Sequence, residues 1–181
     1  MSADSTGEAP KCRAAELRKR LAFDDRRLLA ECEVQRYRSG GPGGQHRNKV
    51  ASAIRLRHKP SGLVAIAHES RLQQENQRRA LRRLRQAIAL VARAPLPQPM
   101  TWPERVQVSQ GQIRVREDNP AFPEALALVL DALSEHGGRV SDAARALGLT
   151  TSSLNRFLKN HPKVWREAGR IRASAGLPPL R

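Results

Sequence analysis

The chain has 181 residues, and its 33 basic and 17 acidic side chains give a formal net charge of +16. This excess favours a polyanionic partner, above all nucleic acid, because each neutralised phosphate releases condensed counterions. Aromatic residues make up only 3% of the chain, which argues against stacked aromatic platforms for single-stranded bases. Without a long apolar run or a metal-ligand pattern around Cys12 and Cys32, the sequence predicts a soluble, cytoplasmic protein with no membrane span, metal or cofactor.

The N-terminal part of the chain predicts one or two helices followed by a strand. Residues 1–12 are small and polar and are predicted to be disordered. Apolar residues at helical spacing over residues 13–32 predict one helix, or two with a restart at Asp24 or Asp25. Residues 33–38 are predicted to form a short strand.

A glycine-rich loop and an antiparallel hairpin come next. Four glycines occupy the seven positions of residues 39–45, so this loop can adopt positive φ and bring its amides close to another molecule. Residues 48–53 fit one or two helical turns. Residues 54–58 alternate apolar and basic side chains, residues 60–62 carry a Pro-x-Gly turn signal, and residues 63–68 are predicted to be the return strand.

A long helix with two different faces follows the hairpin. Ser70 and Gln73 resemble a capping box at its start. Its apolar stripe consists of Leu81, Leu84, Ile88 and Val91. The opposite face carries Arg78, Arg79, Arg82, Arg83 and Arg85. Such a helix is expected to pack on a sheet and to present its arginines to a polyanion.

A proline-rich segment after this helix predicts a linker over residues 94–120, with a second hairpin around Gln110-Gly111. Residues 121–181 are predicted to be an all-α domain. The expected caps of its second and third helices are Ser141 and either Thr150 or Thr151. A short helix, a glycine-containing turn and a capped helix are typical of a helix-turn-helix.

An ordered set of motifs surrounds the glycine-rich loop. The set comprises Ser39, Gly43-Gly44-Gln45-His46, Asn48-Lys49, Pro60-Ser61-Gly62, Arg71, Gln73 and Asn76. With these motifs, the run from about residue 33 to residue 90 resembles the catalytic domain of class I peptide chain release factors. The resemblance implies a small α+β domain with an antiparallel sheet and packed helices, here residues 13–93. It also implies a Gly-Gly-Gln loop that enters the peptidyl-transferase centre of the large ribosomal subunit.

The resemblance implies hydrolysis of the ester between the nascent peptide and its tRNA, with Gly43, Gly44 and Gln45 as the catalytic residues. Glutamine cannot titrate, so catalysis is expected from a positioned water and from the Gln45 backbone N–H donating to the oxyanion. Contacts to ribosomal RNA or tRNA are expected from fourteen residues, although a solvated charged face remains an alternative for any single arginine. They are Arg38, His46, Arg47, Asn48, Lys49, Arg55, Arg57, Arg71, Gln73, Asn76, Arg78, Arg79, Arg82 and Arg83.

Two departures from the release factors affect the expected function. About thirty residues precede the run of matching motifs that begins near residue 33, too few for a codon-reading module. We therefore expect a protein that acts without reading a codon in the rescue of stalled ribosomes, and we expect it to be a monomer. The C-terminal extension resembles Fis-type helix-turn-helix domains between Ser141 and Leu158. Its expected nucleic-acid contacts are Ser152, Ser153, Asn155, Arg156 and Lys159. A packing module or a site for a protein partner stays open for this extension.

Two alternatives to the hydrolase remain at this point. One is a non-catalytic nucleic-acid-binding protein, such as a DNA-binding regulator whose helix-turn-helix carries the function. The other is a ribosome-assembly or stalling factor that has kept the fold and lost hydrolysis. The first leaves the Gly-Gly-Gln run and its matching flanks unexplained, and the intact tripeptide speaks against the second.

Overall fold

The computed structural model describes residues 9–38 and 51–180, with side chains from Ala14 onward. Its helices are α1 (Ala9–Lys19), a short 3-10 helix (Arg20–Ala22), α2 (Asp25–Ala30), α3 (Gln73–Val91), α4 (Phe122–Glu135), α5 (Val140–Ala146), α6 (Thr151–Asn160) and α7 (Pro162–Ser174). Its strands are β1 (Cys32–Tyr37), β2 (Ala53–His58), β3 (Val64–Ala67), β4 (Gln107–Ser109) and β5 (Gln112–Arg114). This arrangement confirms the predicted α+β class with a helical region after the sheet.

The described residues divide into two compact units. They are the sheet unit (Lys19–Ile88) and the helical unit (residues 9–18 and 89–180). This division differs from the predicted boundary at residue 13, because the end of α1 is bound to α4. Arg18 Nε donates to Asp131 Oδ2 at 3.1 Å, and the Asp131 side chain is only 2% exposed.

The start of α1 also differs from the sequence prediction. This helix begins at Ala9, inside the segment predicted to be disordered. Pro10 is compatible with that start because the first helical amides have no partner within the helix. None of the helices in the described part of the chain is long and apolar enough to span a membrane.

The sheet unit contains an antiparallel sheet of order β1-β2-β3. Tyr37 pairs with Ala53 at one end of the β1–β2 ladder, and Cys32 pairs with His58 at the other. Ile54 and Leu56 are fully buried and form the core together with buried side chains of α2 and α3. The intervening side chains of β2 point to the open face, as the period of two predicted.

Three local predictions in the sheet unit are settled by the structure. Asp24 caps α2, since its Oδ1 accepts from the Arg27 N–H at 2.7 Å, which confirms the restart. Ala53 belongs to β2, so the helical turn predicted for residues 48–53 is wrong at that residue. The capping box is also wrong: α3 begins at Gln73, and the Ser70 hydroxyl contacts Glu75.

The helical unit contains the hairpin predicted around Gln110-Gly111. Both loop residues have positive φ (49° and 70°), the conformation that a two-residue type I′ turn requires. Thr150 caps α6 by accepting from the Ser153 N–H at 3.2 Å, as predicted. The predicted Ser141 cap is wrong, because α5 begins one residue earlier, after Arg139. Val91, expected in the apolar stripe of α3, is 51% exposed at the helix end.

Candidate nucleic-acid interface

The predicted catalytic tripeptide follows β1 and precedes β2. Gly43, Gly44 and Gln45 lie outside the described residues, as do the predicted RNA-binding residues His46, Arg47, Asn48 and Lys49. The described chain stops at Arg38, an exposed residue just after β1, and resumes two residues before β2. Because β1 and β2 pair at their adjacent ends, the sheet brings the two ends of this segment together.

Asn76 fixes the approach to β2 from the first turn of α3. Its Nδ2 donates to the carbonyl oxygens of Ser52 and Ser70, each at 2.8 Å. Its Oδ1 accepts from the Ser70 N–H at 2.9 Å. The side chain is fully buried, so the prediction that Asn76 contacts RNA is wrong. Asn76 instead holds the chain that returns from the predicted catalytic segment against the start of α3.

The neighbouring motif residues Arg71 and Gln73 have a different environment. Arg71 is exposed and precedes α3, and Gln73 is half-buried at its first position. Within the described residues, no carboxylate lies within 4.0 Å of the Arg71 guanidinium. RNA contacts by Arg71 and Gln73 remain a proposal. Arg71 is accessible for such a contact, and the Gln73 amide is partly accessible.

The open face of the sheet carries the two predicted arginines of β2. Arg55 and Arg57 are both exposed and lie opposite Ile66 and Val64 of β3 in the strand register. Arg57 Nη1 lies 3.9 Å from Glu33 Oε2, and both side chains are largely solvated, so this pair contributes little stability. Arg55 forms no ion pair with the described residues. Both side chains remain accessible to a polyanion.

The arginines of α3 differ in how strongly they are held by the protein. Arg83 contacts the Glu69 carboxylate and the Ile66 carbonyl, and Arg79 Nη2 lies 2.8 Å from Glu75 Oε1. Arg78 and Arg82 form no ion pair within the described parts of the chain. Two of the four predicted RNA-binding arginines of α3 are thus already paired. The other two, Arg78 and Arg82, provide positive charge that no ion pair with the described residues compensates.

Arg85, the fifth arginine of this helix, has a structural role. Its Nη1 lies 2.7 Å from Asp25 Oδ1, and its Nη2 donates to the Phe23 carbonyl at 2.7 Å. Its side chain is only 15% exposed. Arg85 therefore connects α3 to the start of α2.

Two carboxylates next to this arginine face have lowered pKa values. Although partial burial opposes ionisation, the hydrogen bonds from Arg83 and from backbone amides lower the pKa of Glu69 from 4.5 to about 2. The hydrogen bond from Ser70, and then the pair with Arg79, lower the pKa of Glu75. Both carboxylates are charged at neutral pH and offset part of the arginine charge.

The residues of α6 that were predicted to contact nucleic acid differ in burial and in their internal partners. Ser153 is 2% exposed, and its Oγ accepts from the Ile113 N–H at 3.1 Å, so the prediction that it contacts nucleic acid is wrong. Arg156 contacts the Gln112 side chain, and the Lys159 Nζ lies 5.9 Å from the Trp165 ring centroid.

The remaining two predicted contacts of α6 are more accessible. Ser152 is exposed and Asn155 is half-buried. Sequence reasoning missed Arg105, Arg114 and Arg116, which line a cleft beside this helix. Arg114 and Arg116 alternate with Ile113 and Val115 in the sequence, and this alternation is the signal that could have indicated an arginine-bearing strand. Among the described residues, no three His, Cys, Asp or Glu side chains cluster as metal ligands would.

Comparison with known proteins identifies the family. Residues 29–121 match the family model described as the RF-1 domain. The chain belongs to the RF-1 domain family. A second match covers residues 127–160, to the family described as bacterial regulatory protein, Fis family. The first match contains β1, the Gly-Gly-Gln segment, the sheet and α3, and the second contains most of α4, together with α5 and α6.

Similar curated proteins bear the name peptide chain release factor 1. The protein from Chloroherpeton thalassium is 32% identical over 136 residues, which cover 75% of this chain and 34% of that protein. The protein from Rhodospirillum rubrum is 34% identical over 128 residues, which cover 71% of this chain and 32% of that protein. The protein from Caldicellulosiruptor saccharolyticus is 32% identical over a stretch of the same length. The chain spans about a third of the length of the curated relatives it matches.

Proposed function

We propose that this protein catalyses the ribosome-dependent hydrolysis of the ester between a nascent peptide and its tRNA. The observation that supports the proposal is the RF-1 domain match over residues 29–121, with Gly43-Gly44-Gln45 between the paired strands β1 and β2. The relatives that match this region are named for the release of peptide chains. The proposed substrate is peptidyl-tRNA, and the proposed partner is the large ribosomal subunit with its RNA.

In the proposed reaction, a water oxygen attacks the ester carbonyl carbon and forms a tetrahedral intermediate. The bond from this carbon to the tRNA 3′ oxygen then breaks, and that oxygen takes a proton. The Gln45 backbone N–H donates to the oxyanion, and the Gln45 side chain shapes the site of the water. Loss of a single donor of this kind typically costs on the order of 10²–10³ in rate. Gly43 and Gly44 allow the backbone to reach the required shape.

We further propose that the protein acts as a monomer in the cytoplasm, releases peptides without reading a stop codon and rescues stalled ribosomes. The resemblance of residues 33–90 to the catalytic domain of class I release factors supports peptide release, and the release assay described below tests the finer assignment. Accessible arginines on α3 and on the open sheet face supply charge for RNA contacts, namely Arg78, Arg82 and Arg55. Their phosphate contacts would orient the sheet unit on the ribosome.

The direct test measures the release of labelled peptide from purified ribosomes. Ribosomes on an mRNA truncated in the P site are compared with ribosomes that hold a sense codon in the A site. We expect release from the truncated complex, loss of release in Gly44→Ala and a smaller reduction in Gln45→Ala, which keeps the backbone N–H. Both variants are expected to retain ribosome binding. Gln74→Ala is the matched control, because Gln74 is exposed on α3 next to the motif residues.

The outcomes separate the parts of the proposal. Release that persists in Gly44→Ala would refute the catalytic assignment. Equal release from both complexes would refute a preference for stalled ribosomes without a codon in the A site, while keeping hydrolysis. No release by the wild-type protein from either complex, with binding intact, would favour a factor that binds ribosomes without catalysis.

The Fis-family match over residues 127–160 supports a second candidate, a DNA-binding regulator. This candidate requires specific binding to duplex DNA through the accessible face of α6, including Ser152 and Asn155. It also requires that Gly44→Ala has no functional effect. Selection of bound sequences from a random duplex pool tests it, because a regulator enriches one motif and a non-specific binder enriches none.

A further inference from the structure

A cleft of about 980 Å³ lies within the helical unit, beside the predicted recognition helix. One wall is α6, and the other is formed by β5 and the chain that continues to Pro120. Four arginines line it: Arg105, Arg114, Arg116 and Arg156. Among the described residues, Asp118 is the one acidic residue of the lining, and Glu117 Oε1 lies 2.9 Å from Nδ1 of the lining residue His161. The cleft therefore concentrates positive charge on one side of α6.

Most of this charge is free to bind a ligand. Within the described residues, Arg105 and Arg114 form no ion pair. Arg116 Nε lies 3.2 Å from Asp118 Oδ1, but both side chains are mainly solvated (87% and 61% exposed), and such a surface pair is weak. Arg156 is held by the Gln112 side chain, a neutral partner that leaves its charge uncompensated.

The walls of the cleft are held together by the contact between the hairpin and α6. The Thr150 N–H donates to the Gly111 carbonyl at 2.9 Å, and the Ile113 N–H donates to Ser153 Oγ at 3.1 Å. A Cβ at Gly111 would lie 3.0 Å from Thr150 Cγ2, so the turn lies directly against the helix cap. The backbone of β5, which carries Arg114, is consequently held against α6.

Arginine is suited to phosphate because its planar guanidinium can donate two parallel hydrogen bonds to phosphate oxygens. The Asn160 amide also lines the cleft and can bind sugar or phosphate oxygens. The Asn119 amide has internal partners instead, since its Nδ2 donates to the Arg105 carbonyl and its Oδ1 accepts from the Ala121 N–H, each at 2.9 Å. Since Arg116 is 87% exposed, the cleft is open at its rim. A rim of this kind suits a continuous strand better than a small enclosed anion.

We propose that this cleft binds the phosphodiester backbone of a nucleic acid, with Arg105, Arg114 and Arg116 as phosphate contacts. The β4–β5 hairpin then acts as a second arm beside α6, which contributes Arg156 and Asn160 to the same cleft. Duplex DNA and ribosomal RNA both supply this backbone, and the test separates them. The proposal concerns the helical unit alone and does not depend on peptidyl-tRNA hydrolysis.

The test compares the full-length protein with the variant Arg114→Gln/Arg116→Gln. Binding to a labelled DNA duplex and to purified large ribosomal subunits is measured over a range of salt concentrations. Each lost phosphate contact is expected to reduce the slope of log affinity against log salt by about 1. The double variant should therefore lose about 2 from the slope with its true nucleic acid, and on the order of tenfold in affinity at moderate salt.

The matched control is Arg166→Gln/Arg170→Gln, which removes the same charge from α7, outside the cleft. It is expected to change the slope by much less. The variant Arg114→Lys/Arg116→Lys keeps the charge and is expected to keep the slope. The fluorescence of Trp102 and Trp165, both in the helical unit, verifies that each variant is folded.

A slope reduced only for DNA assigns the cleft to duplex DNA, and a slope reduced only for ribosomal subunits assigns it to RNA. An unchanged slope with both nucleic acids overturns the proposal. An equal reduction in the α7 control also overturns it, because the effect would then follow net charge rather than the cleft. Peptide release, measured in parallel, does not enter either conclusion.

Discussion

Asn76 offers the most direct test of how the fold supports the proposed catalytic segment. Its amide makes three hydrogen bonds to the backbone of Ser52 and Ser70, and it is fully buried. Each bond contributes about 1 kcal/mol net, and a buried group left without its partner costs about 1–3 kcal/mol. Ser52 and Ser70 are only half-buried, so water can satisfy part of what is lost. We therefore expect Asn76→Ala to destabilise the sheet unit by about 2–4 kcal/mol.

The isosteric variant Asn76→Asp separates hydrogen bonding from packing. It keeps the side-chain volume but places an acceptor where two donors faced the carbonyls of Ser52 and Ser70. The expected loss is at least as large as that of Asn76→Ala, because a buried charge is added without a partner. Gln74→Ala, an exposed change on the same helix, is expected to stay within about 0.5 kcal/mol of wild type.

The assay must report on the sheet unit alone. Both tryptophans, Trp102 and Trp165, lie in the helical unit, so their fluorescence does not report on Lys19–Ile88. Native-state hydrogen exchange, followed by mass spectrometry of peptides from β2 and α3, gives the opening free energy of this unit. An Asn76→Asp protein whose β2 amides exchange with the wild-type free energy would refute the reasoning.

Two further predictions concern acid stability and backbone strain. Folding lowers the pKa of Glu69 from 4.5 to about 2. The contribution of Glu69 to the free energy of unfolding is therefore complete above pH 4.5 and is lost as the pH falls toward 2. Solvent access to Glu69 and Arg83 limits that contribution to about 1 kcal/mol or less. Glu69→Gln should remove this acid-dependent part of the stability, which hydrogen exchange of the sheet unit at several pH values would measure. Gly111→Ala should destabilise the helical unit by about 1–2 kcal/mol, from positive φ and from the close approach of Thr150. Gly148→Ala is the control, because Gly148 also has positive φ but no atom lies within 4 Å of its added Cβ. Urea unfolding followed by tryptophan fluorescence measures both variants. Equal losses of unfolding free energy would contradict the steric contribution of Thr150.

The sequence predicted those elements whose signals are local. Alternation over residues 54–58 placed β2, and the caps at Asp24 and Thr150 lie within three residues of the amides they bind. The capping box failed because Ser70 has a competing partner. Its hydroxyl contacts Glu75, while its N–H donates to Asn76. The spacing of Ser70 and Gln73 alone cannot show that Ser70 binds Glu75 and Asn76 instead, because all three candidate partners lie within one helical turn.

The arginines of α3 show a second limit of sequence reasoning. All of them belong to one charged face in a helical projection, and the pattern assigned them one role. Arg83 lies on the flank of that face, where Glu69, fourteen residues earlier, reaches it. Arg85 lies on the other flank and meets Asp25 across sixty residues of chain. Only tertiary structure shows which of these guanidiniums have internal partners.

The same distinction applies to α6, where two adjacent serines have opposite roles. Ser152 is exposed, whereas Ser153 accepts a hydrogen bond from Ile113, forty residues earlier in the chain. The helix-turn-helix pattern contains no information about this hairpin, because it describes only the helices and their turn. The hairpin buries one side of α6, and Arg114 of β5 and Arg116 just after it line the cleft beside that helix. An interpretation based on the helix alone therefore assigned Ser153 a contact it cannot make and overlooked Arg114 and Arg116. In a chain of this composition, a charged residue is best assigned to nucleic-acid binding after its internal partners have been excluded.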